Sequence, residues 1–115
     1  MRWGCNVVGG VGALVFATLV STGPVEALFE PNIGRLTTYA TLLGRGIACG
    51  VDTDIAAKRV GAWMDQVAPP GSKDQMIYLP IFAQGVEYHA KHQKDGLSPD
   101  SCKTLKKTFN TISWP

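Results

Sequence analysis

Apolar residues recur at helical spacing along four stretches of this chain, and the stretch from Arg35 to Gly50, RLTTYATLLGRGIACG, organises the rest. Leu36, Tyr39, Ala40, Leu43 and Ile47 fall on one stripe of a helix. The helix can open at Asn32 or Gly34, after a lead-in with Pro31, and Gly50 stands where a left-handed residue commonly closes one. Ala40, Gly44 and Ala48 form a second line of small residues at spacing four. In a helix, Gly44 and Gly46 each cost about 1 kcal/mol against alanine. Close packing of another helix against this line is the expected compensation. A membrane dimer face of the GxxxG kind is disfavoured by Arg35 and Arg45.

Asp52-Thr53-Asp54 supplies a capping oxygen and early acidic charge for a second helix. Its core positions are Ala56, Val60, Trp63, Met64 and Val67, while Ala57 and Gly61 offer a small-residue line to match that of the first helix. Ala68-Pro69-Pro70-Gly71 ends it. Ser72-Lys73-Asp74-Gln75 then has the form of a capping box. The third stretch is the most apolar after the N-terminus, with Met76, Ile77, Leu79, Ile81, Phe82 and Val86, and it should reach about Lys94. Pro80 interrupts it. Either the helix kinks there or a short turn over 73–78 precedes a new helix, and the proline argues against a buried strand at 76–82. After Asp95-Gly96-Leu97, Ser98-Pro99-Asp100 reads as a helix start of cap, proline and acid. Cys102, Leu105, Phe109 and Ile112 should face the core, with Lys103, Lys106 and Lys107 toward solvent.

The N-terminus follows another pattern. Arg2 precedes an uncharged apolar run of 14 residues, Val7 to Val20, and Val25-Glu26-Ala27 offers small residues where a signal peptidase reads. Residues 1–27 therefore read as an export signal, leaving a domain of 28–115. The competing reading is a retained anchor over Trp3 to Ser21, 19 uncharged residues with several glycines. Cys5 lies before the apolar run, not in a lipoprotein position, and leaves with the signal.

Export changes the meaning of the cysteines. Without Cys5 the chain has two, Cys49 and Cys102, in a compartment that permits disulfides, and two cysteines allow one intramolecular pairing. A domain this small gains from such a staple; the alternative is two free buried thiols. The expected fold is all-α, a small four-helix domain with one disulfide behind a signal peptide. In size and cysteine placement this plan resembles the small periplasmic acid-stress chaperones, though no stretch matches a motif of theirs. The resemblance implies a small exported helical protein held by one disulfide.

Charge adds little. Without Arg2 and Glu26 there remain ten Lys/Arg and eight Asp/Glu, and a net charge of +2 argues for neither nucleic acid nor an anionic membrane as partner. The most suggestive chemistry is Glu87-Tyr88-His89-Ala90-Lys91-His92. His89 and His92 share a helix face and could respond to pH or hold a transition metal with a third ligand such as Glu87, Asp95 or Asp100. Lys91 and Lys94 oppose a cation, and a plain solvated face at a helix end is the simpler reading. There is no HExxH, GxSxG, phosphate-binding glycine loop, CxxC or EF-hand pattern. A Cys–His catalytic pair would need a free thiol. Tyr39, Trp63, Tyr78, Phe82, Tyr88 and Phe109 read as core.

The chain thus reads as a non-enzymatic binding protein of the periplasm or the secreted space, without a cofactor. It would have an interaction or chaperone-like role toward another envelope protein and no membrane contact after cleavage. The alternatives are a small-ligand or metal carrier using the His89/His92 face, and an inhibitor or immunity-type protein for an exported enzyme.

Overall fold

A computed structural model describes residues 30–115, and among them the chain is all-helical. The four helices are α1 Pro31–Ala48, α2 Asp54–Val67, α3 Lys73–Lys94 and α4 Cys102–Thr111. The expected export signal over 1–27 lies outside the described residues, and so does Cys5. None of the described helices is long and apolar enough to cross a membrane.

The first helix is the hub, and the burial pattern shows why. Ile33, Leu36, Tyr39, Ala40, Leu42, Leu43, Gly44 and Gly46 of α1 are all buried, whereas the longer α3 buries only Tyr78 outright. Leu36 and Leu43 meet Val60 from α2 and Leu105 from α4 in one core cluster, and these four are the largest wholly buried side chains. Helix α1 opens at Pro31, one residue before Asn32 and three before Gly34. Pro31 fits that first turn, where a missing N–H costs nothing. At the other end Gly50 has φ +77°, Val51 N donates to the Gly46 carbonyl (2.9 Å) and Gly50 N to that of Ile47 (3.2 Å). This is the Schellman closure expected there.

The small-residue line does offset its cost by close packing, but with a different helix from the one expected. A Cβ on Gly44 would overlap the Val86 carbonyl oxygen of α3 and stand 3.0 Å from the Ala90 nitrogen. A Cβ on Gly85 would in turn stand 3.0 Å from that of Ala40. Ala57 and Gly61 of α2 are exposed instead, because α2 turns the face of Ala56, Val60, Trp63 and Met64 into the core. The apolar stripe of α1 also ends differently. Phe109 and Thr53 press on Gly46, so the buried side swings toward Leu42 and Gly46 and leaves Ile47 52% exposed.

Helix α3 runs unbroken through Pro80, with neither a separate turn at 73–78 nor a strand. Pro80 is exposed, so the Met76 carbonyl it leaves without a helical donor lies on the side away from the core. Ser72 caps the helix by accepting from Gln75 N (3.1 Å). The reciprocal half of the expected capping box is missing, because the Gln75 amide reaches Asp65 Oδ1 (2.8 Å) and the Ala68 carbonyl (3.0 Å) at the end of α2. For α4 the cap is Ser101, accepting from Thr104 N (3.2 Å), and not Ser98. Asp100 is engaged elsewhere, by Arg45, and an equally good capping oxygen lies one residue on. The tail folds back: Trp114 lies 4.9 Å from the Phe109 ring and 5.7 Å from that of Tyr39, and its indole donates to the Phe109 carbonyl (3.1 Å). Arg59 holds the Trp114 and Pro115 carbonyls (3.2 and 2.8 Å).

Candidate functional site

Two regions carry the chemistry open to this fold: the corner where α1, the end of α3 and the loop before α4 meet, and the outer face of α3. The corner is fixed covalently. Cys49 and Cys102 form a disulfide, with their Cα atoms 5.5 Å apart. Both cysteines stand at helix ends, where the backbone can approach without distorting a helix middle. Two polar contacts lie beside the bridge. Arg45 Nη1 pairs with Asp100 Oδ2 at 3.2 Å, and the Gln93 amide donates to the Asp100 carbonyl at 3.1 Å.

His89 and His92 are brought to this corner, as the i, i+3 spacing requires. They line a cavity of about 200 Å³ with Arg45, Tyr88, Leu97, Ser98 and Pro99. The His92 ring stacks on Tyr88 at 3.9 Å between centroids and its Nδ1 lies 3.1 Å from the Tyr88 carbonyl oxygen. His89 meets the same tyrosine edge-on at 5.0 Å. Tyr88 is therefore 55% exposed and serves the histidines, whereas the sequence reads it as core. Burial, the Arg45 guanidinium and the neighbouring His92 all push the His89 pKa below its ordinary 6.5, burial most strongly.

Glu87 points elsewhere. It lines a separate shallow groove with Ile47, Ala48, Ala90, Lys91, Lys94 and Asp95. Lys91 and Asp95 pair there at 2.7 Å, and the lysine holds the Asp95 carboxyl below its usual range. Among the described residues no three His, Cys, Asp or Glu side chains converge as a metal site. Arg45, Leu97 and Ser98 are cavity residues that helical spacing does not reveal. Their signal lies in the cysteines: once Cys49 is paired with Cys102, Arg45 one turn before the first falls beside Asp100 just before the second. The side-chain atoms Arg45 Nε, Gln93 Oε1 and Ser98 Oγ are buried here without a hydrogen-bond partner, so this corner is polar but incompletely satisfied.

The second region is the face of α3 opposite Tyr78. Met76 is 71% exposed, Ile77 and Leu79 are each 50% exposed, and Pro80 and Ala83 are exposed with them. The apolar run at 76–82 is thus core on one side only, because α1 and α2 cover one side of α3 and no described element covers the other. Compared with known protein families, curated proteins and solved structures, the chain matches none.

Proposed function

We propose that this chain is an exported helical protein that acts by binding in the cell envelope, in an interaction or chaperone-like role. The observation that carries the reading is the outer face of α3, where Met76, Ile77 and Leu79 lie exposed beside Pro80 and Ala83 in a helix well anchored on its other side. A contiguous apolar patch on a small folded domain marks a place where another surface sits. The Cys49–Cys102 bridge supports an oxidising compartment, a periplasm or the exterior. The reading assigns no catalytic role and no cofactor.

The test is affinity capture from envelope extract with the oxidised protein and with Leu79→Glu. Specific proteins retained by the first and lost by the second are expected. Identical capture by both would overturn the reading.

A second reading, a small-ligand carrier, is favoured by the cavity that His89, His92 and Arg45 share. Ligand or metal recovered in stoichiometric amount with the purified protein, and lost on His89→Gln with His92→Gln, would support it.

A further inference from the structure

The face of α3 turned away from the core has an internal order that apolar exposure alone does not require. Lys73, Met76, Pro80, Ala83 and Glu87 follow one another at intervals of three, four, three and four residues, and all five are exposed. That is the spacing by which one helix presents a continuous seam to another helix. Ile77 and Leu79 flank the seam, and no charged residue occurs anywhere in 75–86. Between 73 and 87 the charges on this seam stand only at its ends, a lysine at the first position and a glutamate at the last; Asp74 lies to its side, and Lys91, paired with Asp95, and Lys94 follow beyond it. We propose that this seam docks against the same seam of a second copy of the chain, the two α3 helices running antiparallel about a two-fold axis near Pro80.

The charge order decides both the orientation and the occupant. An antiparallel pair centred on Pro80 sets Lys73 of each copy beside Glu87 of the other and Met76 near Ala83, with the apolar flanks between. A parallel pair would set lysine on lysine and glutamate on glutamate. A two-fold interface demands a patch complementary to itself under rotation, and a seam running from positive through neutral to negative meets that demand. The exposed Ala83 leaves room for close approach of the second helix at the flank of the axis. Tyr78, Phe82 and Gly85 on the opposite face hold α3 to its own core, so the seam is presented on a rigid element. The inference rests on reading this face as a binding surface, and it names the occupant.

Sedimentation equilibrium of the full chain, oxidised and recovered from the compartment it reaches, tests it over a range of concentrations. A reversible monomer–dimer equilibrium is expected. Ala83→Glu should raise the dissociation constant at least tenfold while helicity and melting of the monomer stay as they are. Lys73→Glu alone should weaken the dimer, and Lys73→Glu combined with Glu87→Lys should restore it to within about threefold. A monomer at every concentration, a dimer indifferent to Ala83→Glu, or a double swap no better than the single one would overturn the proposal. Envelope capture separates the two ideas: a monomeric protein whose captured proteins vanish with Leu79→Glu keeps the binding face and loses the second copy, whereas a dimer that passes these tests with unchanged capture keeps the second copy and loses the envelope partner.

Discussion

Gly44 on α1 lies directly beneath the Val86 carbonyl oxygen of α3, so close that a Cβ at position 44 would overlap it. The contact explains why a helix at the centre of the fold carries a residue that opposes helix formation. The relieving atom is backbone and cannot swing aside.

Gly44→Ala should therefore destabilise the oxidised protein by about 1–3 kcal/mol, the usual cost of overpacking, even after the helix-propensity gain. Gly61→Ala is the control with the opposite sign. A Cβ on Gly61 meets nothing within 4 Å, so alanine there should add up to about 1 kcal/mol of helix stability. Urea titration of both variants distinguishes tight packing from a general intolerance of alanine.

Much of this arrangement was legible in the residues themselves. Gly50 closes α1 in the left-handed conformation, Ser72 caps α3, and Cys49 and Cys102 form the expected disulfide. What was not legible is which neighbour each face meets. Ala57 and Gly61 carry the same small-residue signal as Ala40 and Gly44 yet face solvent. Periodicity reports a face and not its partner. The run at 76–82 is apolar on all sides, and only the positions of the neighbouring helices decide that Tyr78 is buried and Met76 is not. Trp114 carried no periodic signal at all, since it reaches Tyr39 and Phe109 from the tail beyond α4. The histidine cavity was half legible: spacing places His89 and His92 together, while Arg45 and Ser98 arrive through tertiary contacts.

The start of α4 gives a second test. Ser101 accepts from Thr104 N, whereas the Ser98 Oγ is buried without a hydrogen-bond partner. Ser101→Ala should cost about 1 kcal/mol, as loss of an N-cap does. Ser98→Ala should leave stability unchanged or slightly higher, because it removes an unsatisfied buried oxygen. Equal losses in the two variants would mean that the helix opens at Ser98 after all.

The histidine cavity makes stability depend on pH in a definite direction. Burial, Arg45 and His92 hold the His89 pKa below its ordinary 6.5. Between the lowered folded value and 6.5 the unfolded chain binds more protons than the folded one. Stability is thus fully present above about pH 6.5 and declines as the pH falls through that value toward the lowered one. In His89→Gln the slope of stability against pH across this window should be shallower. The melting temperature at pH 7.5 and pH 5 for both proteins is the measurement, and identical slopes would remove His89 as the source.

The disulfide ties the hub helix to the last one across a sequence separation of 53 residues. Closing a loop of that length in the unfolded chain corresponds to about 4 kcal/mol in the chain-entropy treatment. A domain of this size commonly has about 5–10 kcal/mol in total. Reduction, or Cys102→Ser, should therefore remove a large share of the stability. The loss should not be uniform. Tyr39, Trp63, Val60 and Leu36 hold α1 to α2 without help from the bridge, since Tyr39 and Trp63 meet edge to face at 5.4 Å. Helix α4 buries only Leu105 and Phe109, and it depends on Cys102, Arg45–Asp100 and the Trp114 tail for its position. In the reduced protein α4 and the end of α3 beside it should exchange their amide hydrogens fastest, with α1 and α2 still protected. Hydrogen exchange on oxidised and reduced samples reads this directly. Uniform loss of protection across all four helices would mean that the bridge holds the whole domain together and not one corner of it.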